Sequence, residues 1–557
     1  MHRISSTIAL VAAALALTAA PAGADWPVYG HDLANSRDAG NEGPAPAQIP
    51  TLEQAWTFTS QNGDFTGTPV VAAGVLVAGD FSGTVYALDA VTGKVRWSKA
   101  LGEPIDGSAA IDTAAPGGAT VFVPLAHVGG PRLAALALSD GHVRWSTELT
   151  NQAQSSVYGS PAFSNGTVYI GTSGPNGDDS TARGTVVALN EADGTVRWRT
   201  FTVPDGHDGG SVWSTPAIDT ATGRLYVGTG NAYHGAAADT TDAILALDAS
   251  NGAILGHYQA VPGDAFAADN PAGPDADFGA SPNLFTAPNG TPVVGEGGKD
   301  GVYYTLTRAT MQLVWKTTVG TAAPTGGFVG STVFDGTRIY GVDVATGKVA
   351  ALARDGLSAW TSVDGGPPQF APLSAGHGVL YTVSPSGMLT ARNSATGDVL
   401  NKFSLGGPSF GGVSLTGKAV YVAVGTGPPP APGPQQSGSG SIIAFGDTSQ
   451  SGVPPGPKPG PKPGGKPRPK IKLSAKPRKT VVGRRTTFRF TARASGKLLV
   501  GARVRFAGHS KRTNSRGVAR MKLRLHHGGK RRARATKSGF RAGTTTVSAR
   551  RAHDRRD

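Results

Sequence analysis

Short stretches of alternating apolar and polar residues recur along the N-terminal four fifths of the chain. "GTVYALDAVTGKVRW" (Gly83–Trp97) returns as "PRLAALALSDGHVRW" (Pro131–Trp145) and as "GTVVALNEADGTVRW" (Gly184–Trp198). Each copy predicts a strand, a turn containing glycine, and a second strand that often ends in Trp. Period-two alternation is typical of half-buried strands, and glycine accepts the positive φ of tight turns. Looser copies lie at Asp242–Leu255, Gly301–Trp315, Gly347–Trp360 and Gly387–Leu400.

The repeat predicts an all-β fold, an eight-bladed β-propeller over residues 25–447. Most copies follow a further alternating strand, and three to four short strands in each repeat of about 40–60 residues are typical of propeller blades. "GSIIAFGD" (Gly440–Asp447) lacks a following outer strand, whereas "EQAWTFT" (Glu53–Thr59) lacks a preceding inner one. Pairing the two closes the eighth blade and leaves no free sheet edge. The repeated Trp and Leu residues are predicted to pack between blades.

A second, smaller module is predicted after the propeller. Residues 448–470 form a Pro/Gly/Lys linker, and alternation resumes in residues 471–550, before a basic tail of residues 551–557. The order of "GARVRF", "TNSRGVARMKL" and "ATKSGF" resembles bacterial immunoglobulin-like domains, which implies a small β-sandwich.

The charge divides the chain in the same way. Residues 451–557 hold 32 Lys and Arg against 2 Asp and Glu, whereas residues 1–450 hold 20 against 35. The basic module is either a solvated face or an adhesive surface for polyanions at the cell surface. Its few aromatic residues argue against sequence-specific nucleic-acid recognition.

The first residues resemble a secretory signal. Residues 1–24 combine a basic start, an apolar run and the small residues Ala22-Gly23-Ala24 of a cleavage site. The predicted location is therefore secreted or in the cell envelope, with no transmembrane span. The absence of cysteine from the sequence excludes a Cys-linked lipid anchor, disulfides and c-type haem attachment.

The middle of the propeller carries a more specific resemblance than the repeat. "LDAVTGKVRW" resembles the repeat of quinoprotein propellers, and "DWPVYGHDLANSRDAG" (Asp25–Gly40) resembles the first segment of PQQ-dependent alcohol dehydrogenases, where PQQ is pyrroloquinoline quinone. "SVWSTPAIDTATGRLYVGTGNAY", "PGDAF", "GPDADFGASP" and "GGKDGVYYTL" follow in the order of the polyvinyl-alcohol-dehydrogenase-like branch. The resemblance implies PQQ stacked on a Trp in the central channel, with Ca²⁺ beside the quinone.

Carried over residue by residue, the resemblance implies a set of site residues. Trp213 matches the stacking Trp and Lys299 the basic residue at the quinone oxygens. Asn231 matches a Ca²⁺ ligand. Asp179 is the best match to an acidic Ca²⁺ ligand, although Asp178 competes for that role. Asp264 is the candidate for both a metal ligand and a substitute base.

The catalytic loop departs from the family pattern. In "VPGDAFAADN" (Val261–Asn270), Ala267 stands where the resemblance places the catalytic carboxylate, and alanine cannot accept a proton. The carboxylates that could take its place by a shift of the loop are Asp264, Asp269, Asp275 and Asp277. The sequence also lacks the adjacent cysteines that the family's best-known enzymes carry beside the quinone.

Two functions remain open from the sequence. The first is an exported quinoprotein that oxidises an alcohol, polyol or sugar with PQQ and Ca²⁺ and passes electrons to a separate acceptor. The second is a non-catalytic propeller scaffold held at the cell surface by the cationic module. Metalloprotease, serine-hydrolase and P-loop motifs do not occur in the sequence.

Overall fold

The chain divides into two compact units, Met1–Pro454 and Pro455–Asp557. The computed structural model describes residues 25–61, 63–175, 180–267, 269–271, 273–324, 326–363, 370–425, 440–450, 469–537 and 540–550. The predicted signal peptide, most of the linker and the basic tail lie outside the described residues. No helix within these ranges is long and apolar enough to cross a membrane.

The described part of the first unit folds into eight four-stranded antiparallel sheets, so the all-β propeller prediction is confirmed. Blades 1 to 4 comprise, in order, β2–β5 (Val70–Ala72, Val75–Gly79, Thr84–Asp89, Val95–Ala100), β6–β9 (Ala110–Asp112, Thr120–Leu125, Arg132–Ala137, Val143–Glu148), β10–β13 (Ala162–Ser164, Thr167–Thr172, Thr185–Asn190, Val196–Phe201) and β14–β17 (Ala217–Asp219, Arg224–Gly228, Ala243–Asp248, Ile254–Gln259). β1 (Gln54–Thr59) precedes them and follows a 3₁₀ helix, Pro46–Thr51.

The remaining blades follow the same plan. Blades 5 to 7 comprise β18–β21 (Asn283–Thr286, Pro292–Gly297, Val302–Thr307, Leu313–Thr318), β22–β25 (Val333–Phe334, Arg338–Val342, Lys348–Ala353, Ser358–Val363) and β26–β29 (Ser374–Gly376, Val379–Val383, Met388–Asn393, Val399–Ser404). Blade 8 comprises β30–β32 (Val413–Thr416, Lys418–Val424, Ser441–Asp447), and β1 is its outer strand, with Thr57 opposite Ile443. A short 3₁₀ helix, Thr448–Gln450, follows.

Apolar side chains fill the spaces between blades. Each pair of neighbouring blades shares one buried cluster, such as Val77 of blade 1 with Val123 of blade 2. The Trp residues of the outer strands bridge the same pairs, because each indole Nε1–H donates to a carbonyl in the next blade. The donors and acceptors are Trp56 and Ala90, Trp97 and Leu138, Trp145 and Glu191, Trp198 and Ala249, Trp315 and Arg354, and Trp360 and Ser394.

The turn glycines of the repeat are explained by these Trp residues. A Cβ on Gly141 would lie 2.5 Å from the Trp97 ring, and one on Gly194 would lie 2.5 Å from the Trp145 ring. Both glycines also have positive φ, 72° in each case. The turn therefore needs glycine for its backbone conformation and for the indole of the preceding blade.

The N-terminal segment 25–43 crosses the inner edges of the blades. The second residue of six inner strands, in blades 1, 2 and 4 to 7, donates its backbone N–H to this segment. The donors and acceptors are Val71 and Trp26, Ile111 and Pro27, Ile218 and Leu33, Leu284 and Ala34, Phe334 and Ser36, and Ala375 and Arg37. These bonds satisfy sheet edges that would otherwise be unpaired around the channel.

Arg37 anchors this segment from within. Its side chain is fully buried, and its Nε and Nη2 donate to the Leu373 carbonyl (2.5 Å) and to the Ser374 hydroxyl (3.0 Å). Its guanidinium carbon lies 4.5 Å from the Tyr29 ring centroid. Burial lowers the pKa of Arg37 to about 10, so the side chain stays charged at neutral pH.

The second unit contains two sheets that share one apolar core. One sheet comprises β33 (Lys472–Lys476), β35 (Arg485–Ala494), β36 (Lys497–Leu498) and β39 (Val518–Arg524). The other comprises β34 (Lys479–Val481), β37 (Arg503–Phe506), β38 (His509–Arg512), β40 (Gly529–Thr536) and β41 (Gly543–Arg550). Phe488, Phe490 and Phe506 contact one another in the core. The immunoglobulin-like assignment stays a prediction.

Candidate functional site

A belt of hydroxyl groups surrounds the channel where the inner strands begin. Most blades carry Ser or Thr a few residues before the inner strand, and this hydroxyl accepts a backbone N–H from the blade before it. The donors and acceptors are Ser108 and Ser160 (2.9 Å), Ser160 and Thr215 (3.1 Å), Thr215 and Ser281 (2.9 Å), Ser281 and Ser331 (2.8 Å), and Gly412 and Thr68 (3.0 Å). The belt therefore fixes equivalent segments of successive blades at one level of the channel.

The residue two positions before the belt forms an equivalent ring, which we call the channel ring. In blade order its members are Thr66, Asp106, Tyr158, Trp213, Gly279, Val329, Phe370 and Phe410. Phe370 and Phe410 stack with ring centroids 6.0 Å apart and an interplanar angle of 21°. Trp213 belongs to blade 4 and Phe410 to blade 8, which lie four blades apart in the ring. The four aromatic residues of the channel ring thus lie in two pairs of neighbouring blades, Tyr158 and Trp213 in blades 3 and 4, and Phe370 and Phe410 in blades 7 and 8.

Trp213 differs from the Trp residues that join the blades. Its side chain is half-buried and belongs to none of the apolar clusters between blades. Gly279 of the next blade lies against it so closely that a Cβ would fall 2.0 Å from the Trp213 Cη2. The Lys299 Nζ lies 5.4 Å from the centroid of the indole, within cation–π range. Trp213 therefore presents a flat ring to the channel, beside a cation.

Lys299 is held by two carboxylates from the segment before blade 5. Its Nζ donates to the Asp275 Oδ1 at 2.8 Å and to the Asp277 Oδ2 at 2.5 Å. All three side chains are at least 89% buried, with exposures of 11%, 4% and 7%. Burial alone would lower the pKa of Lys299, but the negative charges of Asp277 and Asp275 outweigh it and raise that pKa above its ordinary value.

Asn231 follows β15 and contacts the cluster of Lys299, Asp275 and Asp277, which we call the Lys299 group. Its backbone N–H donates to the Asp277 Oδ1 at 2.7 Å, so both Asp277 oxygens are bonded. Its side-chain Nδ2 donates to the Phe266 carbonyl at 2.7 Å and to that of Ala232. Asn231 therefore orients Asp277 with its backbone and holds the loop of residues 261–270 with its side chain.

Asp264 supports the segment that carries the two carboxylates. Its Oδ2 accepts the backbone N–H of Ala276, between Asp275 and Asp277, at 2.8 Å. Its Oδ1 is buried and has no hydrogen-bond partner. Burial is the main reason that the pKa of Asp264 is raised, and the nearby charge of Asp277 adds to it. Asp264 therefore holds the backbone between Asp275 and Asp277.

Ala267 is buried in a tight turn, with reciprocal backbone bonds to Asn270 of 3.1 and 2.9 Å. Which of the four candidate carboxylates takes the place of the one that Ala267 lacks stays a prediction. Asp275 and Asp277 already contact Lys299 in the folded chain. The signal in the sequence was the position of Asp277, two residues before the channel-ring residue Gly279.

Asp242 is a further acidic residue that the sequence analysis did not select. It precedes β16, has a positive φ of 46° and is fully buried. Neither of its carboxylate oxygens has a hydrogen-bond partner. Burial first, and then the charges of Asp277, Asp264 and Asp275, raise its pKa to about 10, so Asp242 is neutral at pH 7. Its signal was an acidic residue directly before the apolar run of residues 243–247.

His234 connects the loop that contains Asp208 to the loop that contains Asp269. Its Nδ1 lies 2.8 Å from the Asp208 Oδ2, and its Nε2 lies 3.2 Å from the Asp269 Oδ1. Asp208 also accepts the backbone N–H of His234 at 2.9 Å. The hydrogen bond to Asp208 is the largest influence on the pKa of His234, which is raised. We call this arrangement the His234 clasp.

The metal ligands predicted from the resemblance are only partly placed. Asn231 and Asp264 lie beside the Lys299 group, whereas Asp179 lies outside the described residues. Within the described ranges no three carboxylate or imidazole side chains gather at metal-binding spacing. The described residues place the half-buried Trp213 ring beside the Lys299 ammonium, which fits a flat ligand, but they do not form a complete Ca²⁺ site.

A family model described as outer membrane protein assembly factor BamB matches residues 49–242 and 240–422. The chain therefore belongs to this family of PQQ-repeat propellers. It is 28% identical over 442 residues to polyvinylalcohol dehydrogenase from a Pseudomonas species, covering 68% of this chain and 67% of that protein. It is also 28% identical over 346 residues to polyvinylalcohol dehydrogenase from Sphingopyxis sp. (strain 113P3), covering 56% and 52%.

Solved structures share the propeller fold. Quinohemoprotein alcohol dehydrogenase from Comamonas testosteroni superposes with a TM-score of 0.65 at 19% identity, covering 76% of this chain and 80% of that chain. A europium-containing methanol dehydrogenase superposes with a TM-score of 0.64 at 17% identity, covering 76% and 98%. The resemblance to PQQ-dependent alcohol dehydrogenase propellers is thus confirmed, although the sequence match spans only about half to two thirds of the polyvinylalcohol dehydrogenases.

Proposed function

We propose that this protein is an exported quinoprotein dehydrogenase that oxidises an alcohol, polyol or sugar with PQQ. The observation that carries the proposal is the half-buried Trp213 ring with the Lys299 ammonium 5.4 Å from its centroid and two carboxylates bound to that ammonium. PQQ is flat and carries several carboxylates. The indole would stack on its face, and Lys299 would bind its oxygens.

The chain's own residues would handle the proton of the substrate. Bound PQQ supplies the acceptor for a hydride from the alcohol carbon. Asp277, oriented by the Asn231 N–H, is the base that takes the hydroxyl proton, and Asp275 shares the Lys299 charge with it. The Lys299 ammonium offsets the negative charge of these two carboxylates. The product is a carbonyl compound, and the electrons leave to a separate acceptor, since the sequence has no Cys for attached c-type haem.

The prediction of Ca²⁺ rests on the resemblance and on Asp179, Asn231 and Asp264, and it stays a prediction. The observation that favours the second candidate, a propeller scaffold without catalysis, is Ala267 at the position where the resemblance places the catalytic carboxylate.

One titration separates the two functions. Purified protein is titrated with PQQ, with and without CaCl₂, while tryptophan fluorescence and dye reduction with alcohols, polyols and sugars are followed. We expect saturable binding that Trp213→Ala abolishes. Trp315→Ala is the matched control, because Trp315 joins blades 5 and 6 and should leave binding intact.

Asp277→Asn then tests the base. We expect PQQ binding to persist and dye reduction to fall by about 10²–10⁴-fold, which is the usual contribution of a general base. Absence of saturable PQQ binding by the folded protein would overturn the dehydrogenase proposal and leave the scaffold function.

A further inference from the structure

The outward face of the five-stranded sheet in the second unit is lined by cations. Along β37 and β40 the residues alternate strictly: Val504, Phe506, Ala533 and Ala535 point into the core, and Arg503, Arg505, Arg532 and Arg534 are exposed. This alternation follows from the period of two in a strand. All the arginines of β37 and β40 except Arg531 therefore lie on the outward face of the sheet.

The strand register brings the arginines of this face together. Arg503 lies directly opposite Arg512 of β38, and Arg505 lies directly opposite Arg534 of β40. With Lys537 they line a groove of about 810 Å³. We call this surface, defined by Arg503, Arg505, Arg512, Arg534 and Lys537, the arginine groove.

The groove has no acidic counterpart among the residues of this unit that the structure describes. The sequence contains neither Asp nor Glu between residues 469 and 550. Like charges directly opposite each other on a sheet are destabilising. Two such pairs in one groove therefore reduce the stability of the sheet unless an anion lies between them.

The residues that line and flank the groove also indicate the chemical class of the anion. Thr536 lines the groove, Ser510 lies opposite Arg505, and Thr544 lies opposite Arg534, so hydroxyl donors flank the guanidinium groups. Arg together with Ser and Thr is the donor set that contacts phosphate oxygens. The groove residues include no aromatic side chain, so bases would have no stacking surface.

The spacing of the groove arginines suits a ligand with several anionic groups in a row rather than a single anion. Arg503 and Arg505 are two residues apart on β37, or about 6.6–6.8 Å, and the opposing arginines lie on strands about 4.8 Å away. We propose that the arginine groove binds a linear chain of phosphates through these charges, without reading bases. This binding site is independent of the dehydrogenase function proposed for the propeller.

The test compares the groove with exposed turns of the same unit in the full-length protein. The groove variant is Arg503→Gln/Arg505→Gln/Arg534→Gln. The matched control is Arg478→Gln/Arg484→Gln/Arg516→Gln, which removes the same charge from exposed positions outside the strands. Binding of fluorescein-labelled inorganic polyphosphate and of oligo-deoxythymidylate is measured by anisotropy at several NaCl concentrations. Unlabelled polyphosphate, polygalacturonate and phosphatidylglycerol vesicles are tested as competitors.

We expect the groove variant to lower the slope of log K against log salt by about 3, because three phosphate contacts are lost. The control triple should keep most of the slope and affinity. A variant with Lys at the three groove positions should restore the slope, and circular dichroism checks that each variant is folded. Which of the two labelled chains binds more tightly identifies the source of the phosphates.

Equal losses in the groove and control triples would overturn the proposal, since they would mean that only net charge matters. Stronger competition by polygalacturonate than by unlabelled polyphosphate would overturn the phosphate assignment. Complete displacement by vesicles alone would replace the chain ligand by a membrane surface.

Discussion

At the scale of single residues, the site is organised by burial of charge. Lys299 lies between Asp275 and Asp277, and this ammonium offsets the two carboxylates that would otherwise repel each other. Asp242 has no such partner within the described residues and is held neutral instead. The same buried surroundings therefore hold two carboxylates against an ammonium and keep the Asp242 carboxyl group protonated.

Asp242 should make the stability of the propeller depend on pH. Its folded pKa, raised to about 10, exceeds the ordinary value of 3.8, so the folded state retains a proton that the unfolded state releases. Stability is thus highest below about pH 4 for this group and declines as pH rises toward 10, by up to about 1.4 kcal/mol per pH unit. Asp242→Asn cannot titrate, and we expect it to be more stable than the wild type at pH 7 and increasingly so at pH 9.

Urea unfolding at pH 5, 7 and 9 measures this difference. Asp355→Asn, at an exposed turn, serves as the control. Its free energy of unfolding should change with pH as that of the wild type does. If the free energy of unfolding of Asp242→Asn also changes with pH as that of the wild type does, Asp242 is ionised in the folded protein.

Sequence reasoning reached the site residues that the resemblance could align. Trp213, Asn231 and Lys299 lie within one connected group, as their shared motif block suggested. Asp275 and Asp277 were predicted only as possible substitutes for the base, and Asp242 was not selected, because their proximity to Lys299 depends on where loops of two blades return to the channel. Alternation and turn chemistry predict strands well, whereas contacts between loops arise only once the ring has closed.

At the scale of elements, the His234 clasp joins the segment before blade 4 to the loop of residues 261–270. The hydrogen bond to Asp208 raises the pKa of His234, so the clasp contributes most below the unfolded value of about 6.5. Its contribution is lost as pH rises through the raised pKa. Because the imidazole is 40% exposed, solvent screens the effect on global stability.

We therefore expect a local response rather than global unfolding. His234→Ala should speed amide hydrogen exchange of Phe266 and Asn270, whose N–H groups bond to Ala232 and Ala267. The wild type should show the same acceleration, corrected for intrinsic rates, between pH 6 and pH 8.5. His257→Ala, at a histidine paired with Asp239, is the control. Unchanged exchange in His234→Ala would mean that Asn231 alone holds the loop.

At the scale of the whole molecule, the fold was largely predictable, because the repeat is encoded in each blade separately. The N-terminal segment that crosses the inner strands was not predicted. Its residues, such as Arg37 and Asn35, follow no periodic pattern, and their bonds to several blades depend on the complete ring. Charge also differs at this scale, since acidic residues dominate the first 450 residues and basic ones the rest.

Ring closure through β1 gives a prediction for the whole propeller. β1 pairs with β32 of blade 8, and Phe58 packs on blade 1, with its ring centroid 5.0 Å from that of Tyr86. Phe403, in the outer strand of blade 7, makes a similar contact with Phe445 of blade 8, at 5.3 Å. Both phenyl rings are half-buried, so either Phe→Ala change should cost somewhat less than the ~3–5 kcal/mol typical of a buried Phe.

The two variants should differ in where the ring opens. Phe58→Ala weakens a strand that is remote in sequence from its partner, so β1 and β32 should lose hydrogen-exchange protection together while the other blades remain protected. In Phe403→Ala, the weakened strand stays tethered to β28 by a short turn, and protection of β1 and β32 should persist. Hydrogen exchange with mass spectrometry on both proteins measures this. Equal protection of β1 and β32 in the two variants would mean that backbone pairing with β32 is sufficient to close the ring without the Phe58 side chain.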